Sequence, residues 1–207
     1  MRHHVSLRWL ERALLTIGLL FFGLWFKNDT AARTFQSTES LKLEAARLEA
    51  RFTGPLARRN SLKAWLPERL ALGVFGRIEI PRLGISTLIA EGTGPKQLDR
   101  AVGHVPTTAF PGQPGNCALA GHRDSFLHGL GELRENDVIR IDTLQGTYTY
   151  EVEWGKVVGP RQVNVLDATD EPALTLVTCY PFHAVGPAPE RFVVRARLVE
   201  QAAWVAR

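Results

Sequence analysis

Cysteine is scarce in this chain: two thiols, Cys117 and Cys179, in 207 residues. Two cannot build a disulfide framework or a four-ligand zinc site, and no ligand-pair spacing joins them to the histidines. No loop holds an acidic cluster dense enough for calcium; Asp167, Asp170 and Glu171 are too thin a basis. The 25 basic residues exceed the 21 acidic ones by a net charge of only +4. They are scattered, with neither a Lys/Arg block nor an aromatic-interleaved basic strip, which argues against a nucleic-acid partner. Internal repeats and low-complexity segments are also absent. What remains, at 45% hydrophobic and 22% charged residues, is one globular domain with a sizeable core plus accessory segments. Low cysteine use fits an exported bacterial protein as well as a cytosolic one and does not decide the compartment.

One long apolar run is present. Ala13 to Phe26 carries no charge over fourteen residues, about 21 Å as a helix against a hydrocarbon core of about 30 Å. Counting back to Trp9 and letting Arg12 snorkel gives a short span with Trp9 and Trp25 at the interfaces. We read residues 9–27 as an uncleaved transmembrane signal-anchor behind a short tail, 1–8, whose cytoplasmic placement the charge count alone does not fix. A signal peptide cut near Thr30-Ala31-Ala32 and a buried core helix are the rivals. Arg2, Arg8 and Arg12 precede the run and Lys27, Arg33 and Lys42 follow it, so the positive-inside count is nearly even.

Residues 28–72 read as a helical stalk or linker. Leu41, Ala45, Leu48 and Phe52 recur at helical spacing, and Gly54-Pro55 supplies a stop. The helix either lifts the domain off the membrane or packs on its flank. From residue 73 onward the texture changes to short strands. Arg77–Ile80, Leu88–Ala90, Ala118–Ala120, Val138–Ile141, Tyr148–Trp154, Val157–Val158, Ala173–Cys179 and Phe192–Val199 are separated by turn residues. A mainly β fold with short helices follows, and pattern alone leaves barrel and sandwich open.

Three of these strands end in chemistry. The run Thr175-Leu176-Val177-Thr178-Cys179 delivers a thiol, and Ala118-Leu119-Ala120 runs into Gly121-His122-Arg123. Arg191, twelve residues after Cys179, opens another apolar strand. Brought to one rim, these are a nucleophile, a proton-transfer partner and a cationic oxyanion partner, the parts that acyl transfer needs. Arginine's fixed charge and planar fork suit the last role better than lysine would. Cys117 lies five residues before His122, an odd offset that turns the two side chains to opposite faces of a regular strand. We therefore expect it in the core. His104 reads as structural and His128 as a surface position in a short helix. His3 and His4 lie ahead of the apolar run, away from any site. Arg123 and Asp124 read as a surface ion pair, and Arg195 and Arg197 as solvated edge charges.

The strings TLVTC, AGHRD preceded by PGQPGN, and TCYPF followed by PERFVVRA resemble the sortase family, and its class D branch most closely, over about Gly76 to Leu198. Sortases are membrane-anchored cysteine transpeptidases of the bacterial envelope. The resemblance implies a closed β-barrel of about eight strands over residues 73–207, an N-terminus inside, and an extracytoplasmic catalytic domain on a single-pass anchor in the cytoplasmic membrane. It implies cleavage of a Leu-Pro-x-Thr-Gly-like signal after Thr through a Cys thioacyl intermediate. The acceptor would be an amine such as a peptidoglycan precursor or a pilin lysine, and no cofactor is required. Cys179, His122 and Arg191 take the catalytic roles. With reference pKa values of about 8.5 and 6.5 for Cys and His, thiolate and imidazolium coexist in a small fraction, which the family is taken to use. Tyr180 (through its N–H), Thr178, Asp124 and His183 are lesser candidates for oxyanion or substrate contacts. The loops around Pro160–Asp170 and Tyr180–Glu190 would set specificity. Two other functions are carried beside this one: a membrane-tethered binding module without catalysis, and another cell-wall cysteine transpeptidase. The latter's Ser-x-Gly-Cys-type motif is missing.

Overall fold

The computed structural model describes residues 3–52, 71–184 and 186–203. Eight strands form a closed barrel: β1 (Val74–Ile80), β2 (Ile85–Glu91), β3 (Val102–His104), β4 (Asn116–Ala120), β5 (Val138–Thr143), β6 (Gly146–Val158), β7 (Ala173–Tyr180) and β8 (Glu190–Ala203). Their spatial order is β1-β2-β3-β4-β7-β8-β6-β5, with β5 closing on β1. Six of the eight pairings are antiparallel, while β2 with β3 and β4 with β7 are parallel. A parallel pair needs a crossover, and the short helix α2 (Pro95–Leu98) lies on the one joining β2 to β3. The barrel and its eight strands agree with the expectation from sequence.

Alternation decides what points inward. Tyr148, Tyr150 and Val152 of β6 join Ile78 and Ile80 of β1, Cys117 and Leu119 of β4, Leu174 and Leu176 of β7, and Val194 and Ala196 of β8 in one core. The Tyr150 hydroxyl, at zero exposure, accepts the Gly112 N–H at 2.9 Å, so a buried phenol keeps a partner. Gly112 has φ +77°, and a Cβ there would drive into the Tyr148 ring. Two strand assignments differ from expectation. Tyr148–Trp154 and Val157–Val158 are one strand with a register shift between Val152 and Trp154, where the chain bends without breaking its pairing. The three-residue β3 is too short to show alternation.

The helix α1 runs unbroken from His3 to Phe52, 50 residues, so the apolar run and the stalk are one element. Between Phe26 and Phe52 no proline or glycine interrupts it. The hydroxyls of Thr30, Thr34 and Thr38 fold back on the carbonyls four residues earlier, which removes their competition with the helix ladder. The expected stop at Gly54-Pro55 lies outside the described residues. The apolar run is exposed throughout, Phe21 at 65% and Leu19 at 69%, which excludes the core-helix reading.

The stalk half packs on the barrel flank, but through a different face than the spacing predicts. Leu41 and Leu48 stand exposed, while Phe35, Leu43 and Ala46 pack against Val74, Leu88, Ala90, Ala101 and Leu144. Polar contacts fix this face. Gln36 accepts the Leu88 N–H and donates to the Arg100 carbonyl, Arg77 donates to Ser40, and Arg47 meets Asp142 at 3.1 Å with both side chains largely buried. A polar stripe with matched partners on the barrel outcompetes an apolar stripe with none. The docked face predicts that Leu43→Ala lowers unfolding free energy by about 2–5 kcal/mol, whereas Leu41→Ala changes it by less than about 0.5 kcal/mol. Urea titration of the detergent-solubilised chain checks both, and equal effects would contradict the packing.

Candidate active site

The strand register assembles the site. β4 runs parallel to β7 with Ala118 beside Thr175 and Ala120 beside Val177. Two residues further on, the same register sets His122 beside Cys179. It is maintained past the strand end, because Gly121 N–H donates to the Val177 carbonyl at 3.1 Å and the Thr178 hydroxyl to the Gly121 carbonyl at 2.8 Å. On the other side, antiparallel β8 pairs Arg191 directly with Cys179. Opposed residues share a face and neighbouring strands lie about 4.8 Å apart. Cys179 and Arg191 therefore lie side by side, and His122, two residues past the end of β4, continues the row at the same rim.

Parity shows which face that is. Cys117, Leu119, Leu174, Leu176, Val194 and Ala196 lie in the core, so the row, an odd number of residues away from them on each strand, faces outward. Cys117 sits inside the barrel at 1% exposure, as the odd offset predicts. Burial, reinforced by the Glu91 carboxylate, pushes its thiol far above the ordinary cysteine range, so it carries almost no thiolate at neutral pH. Cys179 is only half-buried and unpaired. The His122 side chain is 45% exposed, with Nε2 3.9 Å from an Asp99 carboxylate oxygen. Arg191 Nη1 donates to the carbonyls of Glu190 at 2.8 Å and Ala188 at 3.1 Å, which orients the guanidinium plane.

The remaining sequence-selected residues surround the row without joining it. Thr178 points inward, holding the strand end that carries His122. Tyr180 packs edge-on to Phe182 at 5.4 Å. His183 and Asp124 are exposed. His104 is fully buried, with Nδ1 2.8 Å from Glu91 and its ring stacked on Phe110 at 4.7 Å, a structural role. His128 is on the surface as expected, but in a turn and not in a helix.

Three arginine and asparagine contacts were not foreseen. Arg123 does not pair with Asp124; it reaches across to the chain after Cys179 and donates to the carbonyls of Pro181 (2.8 Å), Ala184 (2.6 Å) and Gly186 (2.9 Å). Adjacent to His122 in sequence, it ties the β7–β8 loop to the histidine's own turn. Arg195 is no solvated edge charge: it is buried beside the Trp154 ring and donates to the Val165 carbonyl at 2.9 Å. Asn116 donates to the carbonyls of Val165 and Asp167, at 3.1 and 3.2 Å, and accepts from Thr175. Together they pin the β6–β7 loop over the outer face. Arg197 is the surface charge expected, paired with Glu151. Asp99, at the end of α2, had no sequence signal. Among the described residues no group of three His, Cys, Asp or Glu is placed to hold a metal.

An open groove of about 870 Å³ borders the row on its histidine side. One wall is α1 from Trp25 to Ser40, and the other includes Asp99, His122 and Asp124.

In sequence and in fold the chain is similar to known proteins. A family model for the sortase domain matches residues 78–199. Sortase D of Bacillus subtilis is 33% identical over 190 residues, covering 90% of this chain and 96% of that protein. The structure of a sortase D5 transpeptidase from Clostridium perfringens superposes with a TM-score of 0.65 at 29% identity, covering 79% of this chain and 99% of that one. Sortase E from Streptomyces avermitilis follows at 0.56 and 30% identity, covering 63% and 90%.

Two outcomes follow from the geometry. Iodoacetamide at pH 8 modifies Cys179 of the folded protein and leaves Cys117 unmodified until denaturant is added, as read by peptide mass spectrometry. Arg123→Ala, which removes charge-assisted hydrogen bonds of about 1.5–3 kcal/mol each, speeds hydrogen exchange in residues 182–190 by at least about tenfold and spares β7. Unchanged exchange there would show that the clamp is not holding the loop.

Proposed function

The chain belongs to the sortase family, and on that premise we propose that it cleaves a Leu-Pro-x-Thr-Gly-like sorting signal after Thr and transfers the acyl chain to an amine of the cell envelope. The observation that supports this most is the outward pairing of Cys179 with Arg191 and the parallel β4–β7 register that leads to His122. Cys179 attacks the Thr carbonyl as a thiolate, forming a C–S bond, and the negative charge passes to the carbonyl oxygen. Arg191 and the Tyr180 N–H stabilise that oxyanion. His122 protonates the departing amine as the C–N bond breaks, leaving a thioacyl enzyme, and takes a proton from the incoming amine in the second half-reaction.

In this reading the two pinned loops, β6–β7 and β7–β8, form the walls along which the extended peptide lies. Phe182 and Phe192, whose rings meet at 5.3 Å, pack against the barrel core and seat the base of the second loop. The exposed apolar half of α1 acts as the single-pass anchor, with its N-terminus inside and the barrel outside the cytoplasmic membrane. Its window carries a mean hydropathy of 1.5 with none of it buried in the protein.

The test is a pool of Leu-Pro-x-Thr-x peptides with an amine, read by mass spectrometry. Cleavage after Thr with an amide-linked product is expected, abolished in Cys179→Ala and retained in Cys117→Ala. Arg191→Ala lowers kcat/KM by about 10²–10³. A folded protein that yields neither thioacyl adduct nor cleavage would overturn the reading.

A further inference from the structure

The Cys179–Arg191 rung is next to last in its ladder. β7 and β8 part after Tyr180–Glu190, and residues 181–184 and 186–189 follow an irregular path between them. The two groups assigned to the oxyanion, the Tyr180 N–H and the Arg191 guanidinium, thus stand at opposite ends of one loop. Ladder ends fray first, because nothing beyond the last rung holds them. Oxyanion stabilisation asks for the reverse, donors fixed in place before the charge develops.

We propose that Arg123 is the positioning residue of this oxyanion site, acting through the backbone of the β7–β8 loop and not on the substrate. The inference rests on the transpeptidase reading above. Three observations carry it. Arg123 is half-buried and enters from the end of β4, outside the ladder it would hold. Its Nη1 donates to the Pro181 carbonyl at 2.8 Å, and its Nη2 to the carbonyls of Ala184 at 2.6 Å and Gly186 at 2.9 Å. Pro181 follows Tyr180 directly, so the first bond fixes the chain one residue beyond the N–H donor.

The second observation is what aims Arg191. Its Nη1 donates to the carbonyls of Ala188 and Glu190, so the carbonyls at 181, 184, 186, 188 and 190 all accept from these two guanidiniums. The loop that orients Arg191 is the loop that Arg123 grips. A lysine ammonium is a single donor centre, whereas two Nη nitrogens on a planar fork can reach carbonyls spread from 181 to 186.

The third observation separates positioning from folding. Phe182 packs against the barrel core and over Gly131, so the base of the loop has an apolar seat of its own. Loss of Arg123 frees the backbone around the oxyanion and leaves the barrel closed. Arg123 also adjoins His122 in the chain, and a substrate pair distinguishes that route. A departing amine takes a proton from His122, whereas a departing thiol leaves as thiolate and needs none. The oxyanion forms in both cases.

The experiment uses the full chain in detergent, in single turnovers read by rapid-quench mass spectrometry. Two substrates share one acyl part: a Leu-Pro-x-Thr-Gly-type peptide, and the same peptide with a thioester after Thr. With each, the Cys179 sulfur bonds to the carbonyl carbon, the oxygen takes the charge, and the bond to the leaving nitrogen or sulfur then breaks. Arg123→Ala lowers the maximal acylation rate on both substrates by about tenfold to a hundredfold, short of the about 10²–10³ for losing an oxyanion donor outright. The half-saturating concentration changes by less than about twofold, as for an interaction realised in the transition state. Arg123→Lys, which keeps the charge without the fork, falls between Arg123→Ala and the parent, and carries the same test should Arg123→Ala fail to fold. Added to Arg191→Ala, Arg123→Ala costs less than about threefold more, because residues acting as one unit are not additive. A higher half-saturating concentration at an unchanged maximal rate would make Arg123 a support for the peptide wall and overturn the proposal. A loss confined to the amide would place its action on His122 and do the same, as would parental rates in both variants. Absence of any thioacyl enzyme in the parent would instead remove the transpeptidase reading, and this proposal with it.

Discussion

Everything at the site hangs on the parallel pairing of β4 with β7. It is what places His122 beside Cys179, and β8 extends the same row to Arg191. Side chains alternate with a period of two, so slipping β7 by one residue would turn the thiol into the core and Leu176 outward. The register is therefore held from inside. Leu119, Leu174, Leu176 and Val194 are essentially unexposed, and each buried aliphatic side chain contributes about 1.5–3 kcal/mol that a slip would forfeit. The inner face stabilises the arrangement, and the outer face presents its chemistry without having to contribute to its own positioning.

That division explains why so much of the candidate site was legible in sequence. Strand-terminal Cys179 and His122, and Arg191 at a strand head, are defined by short-range patterns: an apolar run, then one reactive residue. Cys117 yielded to the same parity argument. Arg123, Arg195 and Asn116 did not, because nothing local distinguishes an arginine that reaches a loop carbonyl 58 residues away from one in water. Their partners are backbone carbonyls, which every residue has. Asp99 likewise gains its place only from the crossover that brings α2 against the end of β4. The apolar run was visible as composition, but its continuity with the stalk was not, since helix spacing reports a period and not where a helix ends.

The misjudged face of α1 has the same origin. Leu41, Ala45 and Leu48 make an acceptable apolar stripe, whereas the docked stripe mixes Phe35, Leu43 and Ala46 with Gln36, Glu39, Ser40 and Arg47. Amphipathicity weighs residues by hydrophobicity alone. A barrel flank that offers the Leu88 N–H, the Arg100 carbonyl and the Asp142 carboxylate rewards polar residues at matched positions. The Arg47–Asp142 contact acts chiefly on specificity of docking, since burying an ion pair gains little net free energy while breaking one is costly.

An unjointed helix clamped to the barrel also transmits tilt. A membrane span longer than the hydrocarbon layer leans to hide its excess, whereas a short one stands upright and draws the lipid thinner around it. The uncharged run of α1, at fourteen residues, is of the short kind. Read as the anchor, it makes the barrel a flag on a rigid mast, its height above the lipid set by helix geometry to within a few ångströms. Such an enzyme searches a thin slab in two dimensions, so a sorting signal held above or below that slab would escape it whatever its sequence.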